Sequence, residues 1–576
     1  MESRLQPAKA LDLGSAHENR MTFSITNITP VEAGTPCLQS AVAGFRRSVA
    51  AEVTRRLFSQ SKFSCFGRSA HPGIEQPPRY LGSYARVKTL LVLLTTFLIL
   101  TAAMAAAASD PVIQKAESLE QQGQFLEATA VLSTAVNDSP ANSPERKTRE
   151  FELDRVDRIK KDFPFSKEEL FKELKKAVKG LTENEFDRWI EEGRFDSREI
   201  DGKRWFMVSS ISNLFFRYPE LNPRRTPAKD TAAIDKASWE TVVAIKKAAL
   251  EQKAPYVLPK RFRVEMTVTA KPNAAPNDET IRAWIPIPRH YPFQSDFTLL
   301  SSSSPIRQLA PENSPIRSAY LEQKARKDRA TEFKLDYEYT MHGVYFDVQP
   351  ERVRPVDPNN PGLKPYLAEA PHIVFTPEIR ALAGQIAGTE TNPAAKAKKF
   401  YDWIADNIKY SYAIEYSTIR NISDYCRTKG YGDCGQEALL FMTLCRLNDI
   451  PARWQTGWNM FPGAKSIHDW CEIYLEPYGW MPVDPYKGIF AIRYATSLTP
   501  EQRREVRDFY FGGLDYYRMA ANSDHNQVLN PPKQSMRSDD VDFQRGELEW
   551  DHHNIYFDQY SWDLTWKEIK MPQQVQ

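Results

Sequence analysis

The chain carries almost no net charge. Lys and Arg number 76 against 74 Asp and Glu, a formal +2, so the overall balance gives no reason to expect nucleic acid or an acidic partner. Histidine and cysteine are scarce, 9 and 6 in 576 residues. None of them takes the C-x-x-C or H-x-x-x-H spacing of a zinc site. No acidic stretch shows calcium-loop spacing either. No cofactor and no metal are implied. Core material is plentiful: 41% of residues are hydrophobic, with 30 Phe, 25 Tyr and 12 Trp. That composition excludes wholesale disorder, and the length calls for about two to four cores.

One apolar segment stands out. Arg86 and Lys88 precede a run from Leu90 to Leu100, followed by small residues from Ala102 to Ala108. This charged, apolar, small-residue layout is that of a secretory signal peptide, placed at 87–108. The strongly apolar part falls short of the roughly 20 residues of a membrane span, and a retained N-terminal anchor is the alternative. Residues 1–86 are Ser- and Arg-rich, lack periodicity and hold Cys37 and Cys65. They read as a non-native or disordered extension, with translation starting at Val87; an organellar targeting sequence is the other reading. The expected location is periplasmic or extracellular, with no stable membrane insertion once the signal is cleaved.

Residues 109–255 read as helical. Ala116, Leu119, Gly123, Ala128, Leu132 and Ala135 resemble one tetratricopeptide-type hairpin, but no second copy follows, which favours a helix pair capping something else. Ser166 with Glu169, and Thr182 with Glu185, signal two helix starts. Ile200-Asp201-Gly202-Lys203 signals a hairpin. Helix, helix, hairpin loosely resembles a winged helix, a DNA-binding shape that export makes the wrong reading; a structural or protein-contact role is preferred. From 256 to 355 the period becomes two, with Phe262, Val264, Met266 and Val268, then Phe333, Leu335, Tyr337 and Tyr339, implying an antiparallel β-domain. The prolines of AWIPIP (283–288) suggest an edge strand.

The last region, 366–565, opens on two helices with Pro in the first turn, Thr376-Pro377 and Asn392-Pro393. In GDCGQEALLFMTLC (432–445), Cys434 stands at the start of an apolar helix. There the helix dipole and unpaired N–H groups favour thiolate and could hold an oxyanion, the Cys434 amide first. In HDWCEIYLEPYGWMPVDP (468–485), alternation suggests a strand from His468, a turn at Glu476–Gly479 and a returning strand ending at Asp484. Such a hairpin brings imidazole and carboxylate together, so Asp484 orients His468 and His468 exchanges a proton with Cys434.

Gly432-x-Cys434, the helix with Ala438 and Leu444, Ile450-Pro451-Ala452-Arg453, His468-x-Trp470-x-Glu472, Trp480 and Asp484-Pro485 together resemble the transglutaminase-like superfamily over about 370–490. The resemblance implies an α+β fold with a papain-like core, a Cys-bearing helix on an antiparallel sheet, preceded here by a β-sandwich-like domain and the helical region. It implies Cys434 as nucleophile, His468 as general base and acid, and Asp484 as orienting carboxylate, in a cysteine hydrolase or acyltransferase. Asp449 stands where the family usually has Gly, away from the chemistry.

The expected reaction is cysteine-dependent acyl transfer on a carboxamide or peptide bond through a thioester. Hydrolysis of a protein or peptide substrate is preferred; glutamine–amine cross-linking, or a non-catalytic peptide- or glycan-binding module, are the alternatives. Among Cys426, Cys434, Cys445 and Cys471, only Cys426 is free enough to pair with Cys434, because Cys445 lies about 16 Å along the same helix and Cys471 faces the other side of the strand. Trp454, Trp458, Trp470 and Trp480 fit a core better than a cleft, and Arg453 suits either a substrate carboxylate or a structural ion pair. Asp551-His552-His553 reads as solvated, and His372 and His525 lack an identifiable partner. The segment from 490 to about 562 is read as a continuation of the catalytic domain, lining its cleft. Oligomeric state is not legible.

Overall fold

The computed structural model describes residues 110–571, apart from 142 and 229. The signal at 87–108, the extension before it and its two cysteines lie outside the described residues. Among the described residues no helix is long and apolar enough to cross a membrane.

Helices α1 (Pro111–Gln121) and α2 (Phe125–Asn137) form the anticipated hairpin. Its apolar face is covered by α3 (Pro144–Asp162), whose Val156 and Ile159 join Ala116, Phe125, Ala128 and Leu132 in one cluster. Helix α4 (Lys167–Ala177) starts at a capping box of Ser166 and Glu169, and α5 (Glu183–Glu191) starts at Thr182, whose hydroxyl accepts the Glu185 N–H. Strands β1 (Ser197–Ile200) and β2 (Lys203–Phe206) pair around Asp201-Gly202. With α6 (Ser210–Arg217) these elements enclose a second small core that includes Leu170, Phe186, Trp189, Phe206 and Leu214. Helix α7 (Ala232–Gln252) leads into the sheets.

Strands β3 (Tyr256–Ala270), β4 (Thr280–Pro286), β5 (Gln294–Ser302), β6 (Ile306–Leu309), β7 (Ser318–Lys324) and β8 (Thr331–Tyr345) build the β-region. The period-two pattern sets its register: Val264 opposes Tyr337, Met266 opposes Leu335 and Val268 opposes Phe333, all fully buried. The edge assignment for 283–288 is overturned. Strand β4 lies inside its sheet, between β7 and a C-terminal strand. Pro286 is tolerated because that C-terminal neighbour pairs only with Ile281 to Trp284, so no ladder bond is asked of the proline on that side.

Next come α8 (Pro377–Ala387) and α9 (Pro393–Asn407), each with its expected N-cap, Thr376 and Asn392. They are followed by β9 (Lys409–Tyr410), α10 (Ile422–Lys429) and β10 (Tyr431–Gly432), then α11 (Cys434–Arg446), in which every residue from Gly435 to Arg446 is buried. Helix α11 packs on β11 (Ala452–Asn459) and β12 (Ser466–Leu475). Strand β13 (Gly479–Val483) precedes α12 (Pro485–Arg493), α13 (Pro500–Phe509), β14 (Gly513–Leu514) and β15 (Arg518–Asn522). The four-stranded antiparallel sheet beneath α11 runs β13-β12-β11-β15. The fold is α+β, with a Cys-bearing helix on an antiparallel sheet.

The chain then departs from expectation. After β15, strands β16 (Glu547–Trp550), β17 (His553–Ile555) and β18 (Tyr560–Ile569) do not extend the sheet under α11. Instead β16 pairs with β4, and β18 runs along β3 from Tyr560↔Ala270 to Ile569↔Arg261. The β-region is therefore completed by the C-terminus, giving two five-stranded sheets that share one core.

Candidate active site

Asp433 caps α11, accepting the Gln436 N–H at 3.2 Å, while the Gln436 amide returns a contact to the Asp433 N–H. This box places Cys434 at the first helical position, half-buried at the wall of a cavity of about 430 Å³. His468 lines the same cavity. Its Nε2 lies 2.8 Å from Asp484 Oδ2, and both side chains are buried. Asp484 ends the β12–β13 hairpin as foreseen and also caps α12 by accepting the Lys487 N–H at 3.0 Å.

Burial opposes ionisation of Asp484, yet His468 and Arg518 beside it hold its carboxyl well below the usual range. An ionised Asp484 accepts, so the His468 Nε2 carries the proton and Nδ1 keeps the lone pair. Burial pushes the imidazole pKa down, against the pull of Asp484, leaving His468 neutral near pH 7. The rings of Tyr486 and Trp470 flank it at 5.0 and 5.7 Å between centroids.

The expected resting thiolate is not what this environment favours. Burial pushes the Cys434 thiol pKa up, and Asp469 and Asp433 add to the effect. The polar contact of Cys434 Sγ is Asp469 Oδ2 at 3.6 Å. Asp469 is itself raised to about 8 by burial, with Asp433 contributing, and its Oδ1 accepts from Gln544 Nε2 at 2.5 Å. Burial thus disfavours the charged form of both the Cys434 thiol and the His468 imidazole, which line one cavity.

Two glycines make the arrangement possible. A Cβ on Gly435 would collide with the Tyr416 hydroxyl and come 2.9 Å from Asp469 Oδ2. Gly457 stands opposite His468 in the β11–β12 pairing, where a Cβ would run into the Met519 carbonyl on β15.

Sequence reasoning missed Arg518, Asp469 and the α6–α7 contribution. Arg518 is fully buried and bridges Asp484 Oδ2 at 2.9 Å to Asp515 at 3.0 Å. Ser209, Phe216, Ile234, Asp235 and Ser238 line the cavity from α6 and α7 and the loops leading into them. Helix α6 is tied to the segment before Cys434, Arg217 Nε donating to Ser411 Oγ at 2.9 Å and Asn213 Nδ2 to the Tyr412 carbonyl at 3.1 Å. Exchange of these contacts across some 200 positions leaves no local signal.

The remaining candidates resolve plainly. Trp454, Trp458 and Trp470 are buried in the core, and Arg453 pairs with Glu472 at 2.5 Å. Cys426, Cys434, Cys445 and Cys471 are free thiols, and Cys426 is buried. His525 Nε2 contacts the Pro371 carbonyl at 2.7 Å, and burial lowers His372 to about 4. His553 sits on β17 with its ring 4.5 Å from that of Trp550.

Comparison with known proteins adds a family. The model of the transglutaminase-like superfamily matches residues 380–485. These residues are a transglutaminase-like core. The match runs from α8 through α11 to Asp484 and Pro485 and so spans all three residues picked out above. An uncharacterised protein of Haemophilus influenzae is 24% identical over 175 residues, 26% of this chain and 47% of the relative, so the chain spans about half the relative's length. A structure described as a candidate cysteine protease from Cytophaga hutchinsonii shares 16% identity with a TM-score of 0.38, covering 55% of this chain and 93% of that one. The periplasmic domain of TgpA from Pseudomonas aeruginosa shares 14% with a TM-score of 0.23, covering 44% and 98%. At such scores neither structure bears on the chemistry argued from the chain's own residues.

Proposed function

We propose that the protein hydrolyses a carboxamide or peptide bond through a Cys434 thioester. The observation that carries this reading is that His468, held by Asp484 behind it, lines the same cavity as Cys434 at its helix N-terminus. In the first step the thiol proton moves to His468 Nδ1 as sulfur bonds to the carbonyl carbon. The oxyanion so formed is met by the Cys434 N–H at the start of α11, since the Gln436 N–H is taken by Asp433. The C–N bond then breaks, with His468 returning the proton to the departing amine. Water repeats the sequence on the thioester, releasing a carboxylic acid and restoring the thiol. Asp484 keeps the imidazole in the tautomer this requires and balances its charge when protonated.

A cavity of about 430 Å³ is of the size that holds a small ligand or the end of a peptide, roughly 300–1,000 Å³. Residues of α6 and α7 line the same cavity as Cys434, which favours a short substrate and water over the two folded proteins that cross-linking must bring together. The helical region thus belongs to the site rather than to a separate binding module. The apolar segment 87–108 is assigned as an export signal, placing the enzyme in the periplasm or outside the cell; N-terminal sequencing of native protein checks this, a mature end near Ser109 supporting it and an intact Met1 contradicting it.

The reaction is tested by incubating purified protein with short peptide and amide libraries and following products by mass spectrometry. Cleavage by the wild type that vanishes in Cys434→Ala supports hydrolysis. Cleavage retained in that variant refutes it.

A further inference from the structure

Asp469 follows His468 on β12, and both line the cavity at Cys434. Asp469 is only 2% exposed, and among the described residues no Lys, Arg or His stands within ion-pair distance of it. Arg545, which lines the same cavity, pairs instead with Glu415 at 3.6 Å and Asp542 at 3.7 Å. The titratable groups around Asp469 are Cys434 and Asp433 from α11, Tyr416 from the segment before α10, and Asp539 and Asp542 from the segment before β16. None brings a positive charge. A buried carboxyl in such company keeps its proton, because ionisation would set an unpaired charge among like groups and away from water. Its pKa, raised to about 8 by burial, agrees.

The oxygen that carries this proton is fixed by its neighbours. Asp469 Oδ1 accepts from Gln544 Nε2 at 2.5 Å. Gln544 is itself fully buried, and its backbone carbonyl accepts from Trp458 Nε1 at 3.0 Å. An oxygen that faces a donor serves as acceptor, which leaves the proton to Oδ2. Oδ2 is the atom 3.6 Å from Cys434 Sγ. Gly435 makes room for it, since a Cβ there would stand 2.9 Å from this oxygen.

We propose that Asp469 is a further catalytic residue, a neutral carboxylic acid whose Oδ2–H donates a hydrogen bond to the Cys434 sulfur as negative charge gathers there. The inference rests on Cys434 being the nucleophile. At rest the thiol donates to Oδ2. Once the thiol proton has passed to His468 Nδ1, the contact reverses, and the carboxylic O–H faces the sulfur until the S–C bond has formed. Asp469 keeps its own proton throughout, so no proton transfer is asked of it. A hydrogen bond to an ionised acceptor is about twice as strong as one between neutral groups, so the contact favours the thiolate that burial alone opposes.

Full-length wild type, Asp469→Asn and Asp469→Leu are alkylated with iodoacetamide from pH 6 to 9. The thiolate displaces iodide to form a thioether, and modification of Cys434 is followed by mass spectrometry. An Asn side chain keeps an acceptor for Gln544 and an N–H for the sulfur but cannot ionise, whereas Leu offers neither. Asp469→Leu should react at least tenfold more slowly than Asp469→Asn at pH 7. The rate of Asp469→Asn relative to wild type should climb at least fivefold between pH 6 and 9, as the wild-type acid turns from a donor into a repelling carboxylate. A flat ratio overturns the proposal, whether or not the Leu variant folds. A folded Leu variant that reacts as fast as Asn overturns it too. Infrared difference spectra give a readout that packing alone would not move: the carbonyl band of a protonated carboxylic acid, lost in Asp469→Asn, should shift when Cys434 is alkylated. Absence of that band at pH 6 counts against the proposal in the same way. If Cys434 resists alkylation in every form at every pH, the nucleophile reading itself fails; selective alkylation with a flat ratio removes only the role of Asp469.

Discussion

Cys434 Sγ and Asp469 Oδ2 lie 3.6 Å apart, so the immediate polar neighbour of the proposed nucleophile is a carboxyl. A charged carboxylate there would repel the thiolate that forms during attack. Its pKa near 8, raised by burial, keeps it protonated through neutral pH. Asp469 thereby sets an alkaline limit on the reaction.

Activity should follow a bell-shaped pH profile. On the acid side the rate falls as His468 becomes protonated, at a pH below its ordinary value of 6.5, because burial lowers it. On the alkaline side it falls near pH 8 as Asp469 ionises. Asp469→Asn should extend activity upward in pH while leaving the acid limb in place. Initial rates of wild type and variant from pH 5 to 10 check this.

Arg518 connects Asp484 to Asp515 with no exposed surface of its own. Arg518→Leu would leave two buried carboxylates with one cation fewer, and breaking a buried pair in this way costs about 3–5 kcal/mol. Urea denaturation should show that loss. Protein that still folds should have a weaker His468–Asp484 contact and a lower kcat.

Folding stability should rise on acidification from pH 8 to about 5, the reverse of the behaviour of a protein held by salt-bridged carboxylates. Burial raises Asp433 to about 6, Asp539 to about 7 and Asp469 to about 8, and also raises Asp542 well above its ordinary value. Unfolded, each titrates near 4, so between those values the native state binds more protons than the unfolded one and loses stability as pH climbs. Asp484, with its lowered pKa, adds stability that is lost only below about pH 4. Thermal melts across this range test the sign, and Asp542→Asn should flatten the slope.

Gly435→Ala should damage the site more than the fold. The new methyl group meets Tyr416 and Asp469, both beside Cys434, and relieving such overpacking typically costs about 1–3 kcal/mol. A drop of tenfold or more in the alkylation rate of Cys434, with the far-UV circular dichroism unchanged, is the expected result.

The three proposed catalytic residues were legible because each sits at a local structural event: a helix start at Cys434, and the two strands of one hairpin at His468 and Asp484. The β-strands at 262–268 and 333–339 were legible for the same reason, since alternation is a local property. Arg518 and Asp469 were not. Each matters through groups distant in sequence, and nothing beside Arg518 says that Asp484 will be there. The same holds for β18, which runs from Tyr560 to Ile569 and looks like a late part of the Cys434 region until it is seen paired with β3. The AWIPIP stretch misled because prolines do mark edges in general; here the neighbouring strand stops short of Pro286.

The central claim is that Cys434, activated by His468 and Asp484, takes up an acyl group. Single-turnover reaction with p-nitrophenyl acetate, followed by peptide mapping, tests it directly. The account predicts a stoichiometric burst of nitrophenolate, with an acetyl thioester on Cys434 that is absent in Cys434→Ala and forms at least a hundredfold more slowly in His468→Ala. An acetyl group found elsewhere, or the same burst rate without the imidazole, would contradict it.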